Sequence, residues 1–153
     1  WDTPLKGLNL NLVSNINTSK FTNVNPAFAG ANPRVADGQR LLNTPPYNVR
    51  LDVNYETDLG GSHRLFANIH GSAIGRARNG DATVDVIRPY QLYGTNVGVK
   101  FDRSEVRLFV DNLSDERGPT AANGPTLLAG PRPRTIGIGF NGDGDYWVQD
   151  FGY

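Results

Sequence analysis

Between residues 47 and 56 the chain alternates strictly between apolar and polar side chains. The apolar positions of this stretch are Tyr47, Val49, Leu51, Val53 and Tyr55. Successive side chains of a β-strand point to opposite faces, so the pattern predicts a strand with one apolar and one polar face. A row of Val and Leu bracketed by two Tyr is typical of a lipid-facing strand with an aromatic residue at each membrane interface. The opposite row is too charged for a dry core and suits a water-filled lumen.

The same period of two recurs along the chain and predicts about six strands. Five of them alternate cleanly, and the third is interrupted by Phe66 and Gly71. The predicted fold class is therefore all-β, an antiparallel meander. The predicted strands are residues 7–17, 46–57, 63–75, 90–101, 105–114 and 133–140.

The predicted connections are alternately long and short. The short ones are 58–62 and 102–104, and the long ones, rich in Pro and Gly, are 18–45, 76–89 and 115–132. Loops of this length are uncommon inside compact domains. Regular alternation of the two kinds is typical of bacterial outer-membrane barrels, which have short periplasmic turns and long extracellular loops. The pattern therefore predicts strands of a transmembrane β-barrel.

The polar rows of these strands are predicted to face the lumen. Their charges either form cross-strand ion pairs along the lumen wall or contact an anionic ligand or the carboxylates of a plug. Glycines within the strands, such as Gly94 and Gly137, either relieve crowding, leave room for something inside or mark a bulge. The predicted lumen-facing residues are Arg50, Asp52, Asn54, His70, Asn96, Lys100, Arg107 and Asp111.

Composition narrows the possible chemistry. The 153 residues carry a formal net charge of zero, so no nucleic acid or other polyanion is expected as a partner. Cys is absent, which excludes a disulfide framework and a thiolate metal site. His63 and His70 share no geometry suited to a metal. No spacing selects a catalytic pair among the carboxylates, so we predict neither an enzyme, nor a cofactor, nor a metal site.

Four stretches together resemble the C-terminal part of a TonB-dependent outer-membrane receptor. The resemblance implies a barrel of about 22 strands closed by an N-terminal plug. It also implies uptake of a siderophore, cobalamin or an oligosaccharide across the outer membrane of a Gram-negative cell, energised through TonB. The four stretches are Thr3–Leu10, Asn43–Val49, Val110–Arg117 and Pro133–Phe140.

On this resemblance, residues 1–140 correspond to the C-terminal portion of the receptor barrel. Residues 141–153 are either a tail or a final short strand. The plug and the segment that TonB contacts are not in this sequence, and six strands cannot close a membrane barrel, which needs at least about eight. The expected partners are therefore outer-membrane lipid, the remainder of the barrel, the plug and the TonB complex.

The long loops are predicted to contact the ligand, because loops on a rigid scaffold carry recognition. The candidates are Phe28, Arg34, Arg40, Arg76, Arg78, Asn79, Asp81, Arg88, Arg117 and Asn123. An alternative of another class is a soluble β-sandwich that binds carbohydrate. In a sandwich the apolar rows of two sheets face each other, whereas in a barrel they form one outer band about 25 Å tall.

Overall fold

A computed structural model describes residues 4–79, 86–122, 128–142 and 145–151. Its main body is one antiparallel sheet of seven strands. Strands are numbered in chain order, and the numbers missing here belong to short strands in the loops. The seven strands of the sheet are Leu8–Ile16 (β1), Tyr47–Gly60 (β2), His63–Ile74 (β3), Tyr90–Phe101 (β6), Ser104–Asp111 (β7), Thr135–Gly142 (β10) and Asp145–Asp150 (β11). Each pairs with the next in the order β1-β2-β3-β6-β7-β10-β11. Among the described residues β1 and β11 each pair with one strand only, so the sheet is open at both sides.

The all-β class and the antiparallel meander are confirmed, but the sheet has seven strands rather than about six. The additional strand is β11, whose Trp147 pairs with Phe140 and whose Gln149 pairs with Ile138. Gln149 interrupts the apolar row, yet backbone hydrogen bonding to β10 holds this segment in the sheet. At β7 the prediction was too long, because Asn112 adopts φ +49° and ends the strand.

All long connections leave the same edge of the sheet. Residues 17–46 (L1), 75–89 (L2) and 112–134 (L3) form this loop edge. The opposite, turn edge carries tight links. One is the β2–β3 hairpin, where Gly60 and Gly61 adopt φ +102° and +62°, a conformation that favours glycine in short hairpins. The structure thus separates long and short connections as the sequence pattern predicts.

The long connections contain short regular elements. Asn25 caps the helix α1, Pro26–Ala31, by accepting a hydrogen bond from the Ala27 N–H. Two ribbons of paired strands occur in L2 and L3. They are Ala77–Arg78 (β4) with Val86–Ile87 (β5), and Ala121–Ala122 (β8) with Leu128–Ala129 (β9). No helix in the described part of the chain is long and apolar enough to cross a membrane.

The register brings the apolar rows of all seven strands onto one face, which we call the apolar face. Leu12, Leu51 and Gly71 align across β1, β2 and β3. Large apolar side chains on this face are well exposed, for example Leu12 at 67% and Ile69 at 61%. The other sheets of the described chain are two-stranded ribbons, so none of them supplies the second layer that a sandwich requires.

The opposite, polar face accommodates side chains over its glycines. A Cβ added to Gly98 would lie 2.5 Å from the ring of Phe66, and one added to Gly94 would overlap the ring of His70. Strand pairing runs through both glycines without a register shift. These glycines therefore make room for neighbouring rings, and a bulge does not explain them.

Candidate functional site

A hydrogen-bonded cluster lies at the centre of the polar face. Asn68 Nδ2 donates to Asn54 Oδ1 over 2.8 Å, and Asn68 Oδ1 lies 2.9 Å from His70 Nδ1. Asn96 Nδ2 also donates to Asn68 Oδ1, over 3.4 Å. Asn68 therefore connects side chains of three adjacent strands. It was not among the predicted lumen-facing residues, although the alternation of β3 places it on the same face as His70.

The charged residues of the polar face are largely paired with one another. Arg50 and Asp52 form a two-bond ion pair with distances of 2.8 and 2.9 Å. Glu56 Oε1 lies 2.9 Å from the guanidinium of Arg64 and 3.6 Å from Lys100 Nζ. The two pairs of Glu56 cross between strands, as the ion-pair interpretation of the polar rows predicts, whereas Arg50 and Asp52 belong to the same strand. Arg64, which also pairs with Asp58, was missed because it lies at the end of its strand next to the turn.

The remaining predicted lumen-facing residues lie on this face too. The guanidinium of Arg107 is 6.0 Å from the ring centroid of Phe109, within the range of a cation–π contact. Asp111 ends β7 opposite Thr135 and is exposed. All eight predicted residues thus share one face of the sheet.

At the loop edge, L1 and L2 are joined by hydrogen bonds. Arg34 Nη1 donates to the Asn79 carbonyl over 3.0 Å, and the Asn43 N–H donates to the Arg78 carbonyl over 2.6 Å. The buried apolar side chains of the described chain are Ala77 and Ile87, each 5% exposed, and both belong to the L2 ribbon. The buried apolar residues of the described chain therefore lie in the L2 ribbon, and hydrogen bonds join this ribbon to L1.

Four of the predicted ligand-binding arginines surround this joint. Arg78 Nη1 donates to Gln39 Oε1 over 2.9 Å, and Arg40 Nη1 donates to the Asn17 carbonyl over 3.1 Å. Arg76 and Arg88 flank the ribbon and are exposed. Asn79, by contrast, is only 1% exposed, and its Nδ2 has no hydrogen-bond partner among the described residues. Asn79 is thus a buried residue of the joint, and its contact with a ligand stays a prediction.

Arg117, another predicted ligand contact, is neutralised within L3. Its guanidinium lies 2.7 Å from Asp115 Oδ2. The pKa of the Asp115 carboxyl lies below its ordinary value. The main cause is the hydrogen bond from the Arg117 guanidinium, and the second is the hydrogen bond from the Arg134 N–H. Asp115 therefore stays ionised at neutral pH, and the charge of Arg117 is already balanced.

The other predicted loop contacts are not drawn together. Phe28 lies on α1 and is 53% exposed. Asp81 and Asn123 fall outside the described residues. Within the described ranges, no group of three or more His, Asp or Glu side chains is placed to hold a metal ion.

Comparisons with protein-family models, curated proteins and solved structures give no match. A functional assignment for this chain therefore depends on its geometry. Two features carry it: an exposed apolar face backed by a paired polar face, and a loop edge that holds most of the predicted ligand contacts.

Proposed function

We propose that this chain is the C-terminal barrel portion of a TonB-dependent outer-membrane receptor that captures and imports a scarce ligand such as a siderophore, cobalamin or an oligosaccharide. The observation that carries the proposal is the uncovered apolar face. A continuous apolar surface across seven strands is far larger than water-exposed proteins usually tolerate, and a lipid bilayer would cover it.

The aromatic residues on the apolar face support a membrane position. Tyr47 and Tyr55 flank the Val and Leu row of β2, and both rings are partly exposed. Tyr is favoured where hydrocarbon meets headgroups because its ring is apolar and its hydroxyl is polar. The spacing of these two residues suits the two interfaces of one bilayer.

The polar face supports a water-filled interior. The Asn54–Asn68–Asn96 cluster and the Arg50–Asp52 pair would be costly in hydrocarbon but are stable where water reaches them. In the proposed receptor this face lines the lumen. The plug would then lie against side chains that already neutralise one another, so plug contacts would be mostly hydrogen bonds.

The open strands β1 and β11 imply missing partners. Within a bilayer, unpaired backbone groups at a sheet edge are strongly unfavourable, so transmembrane sheets close into barrels. The proposed partners are the remaining barrel strands, the plug, outer-membrane lipid and the TonB complex. Neither an enzymatic activity nor a cofactor belongs to this proposal, which assigns the chain to transport.

The test uses cells that express the full-length product of the gene that encodes this chain. The protein should fractionate with the outer membrane. Compared with a deletion strain, the cells should remove at least one compound from the medium, and a protonophore that discharges the inner membrane should abolish that removal. Recovery of the protein as a water-soluble monomer would contradict the proposal and favour the carbohydrate-binding sandwich.

A further inference from the structure

We propose that the L2 ribbon carries an oxyanion-binding site formed by Arg76, Arg78 and Arg88, with Arg40 beside it. The chemical class of the bound group is phosphate or carboxylate. The inference rests on the proposed function in one respect: it takes the phosphate or carboxylate to be part of the ligand that the receptor captures. The site itself follows from the geometry of the ribbon.

Strand alternation places three arginines on one face of the ribbon. Ala77 pairs with Ile87, and both side chains are buried. Their neighbours along each strand must point the other way. Arg78 therefore lies on the opposite face of the ribbon. Arg76 and Arg88 are exposed and directly flank the paired residues, and continued alternation puts them on the same face as Arg78.

These arginines have no carboxylate partner among the described residues. Arg78 donates to an amide oxygen of Gln39 and to the Arg40 carbonyl, and Arg40 donates to the Asn17 carbonyl. All these acceptors are neutral. On the polar face, by contrast, Arg50 and Arg64 are paired with carboxylates. Within the described residues, the guanidinium groups of Arg78 and Arg40 thus hydrogen-bond to neutral groups only.

Like charges next to each other on paired strands destabilise a ribbon. Arg76 and Arg88 flank the paired residues of the ribbon, and an oxyanion bound by both would replace repulsion between them with two attractive contacts. The sequence of L1 and L2 carries an excess of positive charge. Its six basic residues are Lys20, Arg34, Arg40, Arg76, Arg78 and Arg88, and its three acidic residues are Asp37, Asp81 and Asp85.

The site is also partly fixed before any ligand binds. The hydrogen bonds from Arg78 to Gln39 and Arg40 span 39 and 38 residues of sequence and hold the guanidinium of Arg78 in place. A held guanidinium loses less conformational freedom on binding, and its planar donors match phosphate or carboxylate oxygens in pairs.

The probe is pyrophosphate, titrated calorimetrically into the intact protein in neutral detergent at low salt. We expect wild-type protein to bind it, and Arg88→Gln or Arg76→Gln to weaken binding about tenfold each, because hydrogen bonds to charged groups are among the stronger ones. The matched control is Arg103→Gln. Arg103 is an exposed arginine in the β6–β7 turn at the opposite edge, and its replacement should leave the affinity unchanged.

A second arm replaces pyrophosphate with phosphatidylglycerol added to the detergent micelles. A loss of affinity for pyrophosphate in Arg88→Gln supports a soluble anionic ligand, and a loss seen only with phosphatidylglycerol supports a lipid headgroup as the source of the oxyanion. The inference is overturned if wild type binds neither probe, or if Arg88→Gln and Arg103→Gln behave alike. That failure would leave the receptor proposal intact, since its own failure is recovery of a soluble monomer.

Discussion

Replacing Leu51 with arginine should lower the free energy of unfolding of the lipid-inserted protein by about 2–4 kcal/mol, the cost of such a charge near the bilayer midplane. Leu51 lies halfway along the apolar row of β2, aligned with Leu12 and Gly71 on the neighbouring strands. Its side chain is 43% exposed. If water covered this face, the same substitution would change stability by only about 0.5 kcal/mol, as at other surface positions.

The matched control for Leu51→Arg is the neighbouring Asp52→Asn on the polar face. It removes the ion pair with Arg50, in which the Arg50 side chain is 56% exposed and that of Asp52 16%. A partly exposed pair of this kind contributes no more than about 1 kcal/mol. The measurement is the urea midpoint of both variants in lipid vesicles, and equal losses would contradict a membrane position for the apolar face.

Replacing Gly7 with alanine should destabilise the sheet by about 3 kcal/mol. Gly7 adopts φ +85°, which costs an alanine about 1–2 kcal/mol. The added Cβ would also overlap the carbonyl oxygen of Glu56, and the backbone hydrogen bond from the Glu56 N–H to Gly7 would be strained or lost. The clash is with backbone, so no rotamer change can relieve it.

Gly30 provides the control for Gly7→Ala. It lies in α1, and a Cβ built there meets nothing within 4 Å. Gly30→Ala should be neutral or stabilising by up to about 1 kcal/mol, because alanine favours a helix. Unfolding midpoints of the two variants, measured in the same detergent, give the comparison. Equal midpoints would mean that the start of β1 is not held against β2 as described.

The faces of the sheet could be predicted from the sequence because a period of two is a local signal. Leu51 and Asp52 lie on opposite faces, as their alternation predicts. Strand ends were harder to predict, since one backbone angle decides them, as at Asn112. The sequence does not decide whether β11 forms, because Gln149 interrupts its apolar row and its pairing with β10 depends on the neighbouring strand.

The candidate site was predictable only as a set of residue types. Arginines in loops suggested ligand contacts, and most of them do lie at the loop edge. Their partners were not predictable, because the bond from Arg34 to Asn79 joins positions 45 residues apart and depends on how L1 packs on L2. Burial of Asn79 likewise depends on how the loops pack. Arg117, by contrast, pairs with Asp115 only two residues away, a contact that the local sequence could have indicated.

The measurement that tests the central claim most directly determines whether each face of the sheet contacts lipid or water in a membrane. This chain contains no cysteine, so Val97→Cys on the apolar face and Asn96→Cys on the polar face can each carry one fluorophore. In vesicles containing the intact protein, we expect lipid-attached nitroxide to quench the label at 97 and aqueous iodide to quench the label at 96. Iodide quenching of both labels, or a label at 97 protected from both quenchers, would contradict a lipid-covered apolar face.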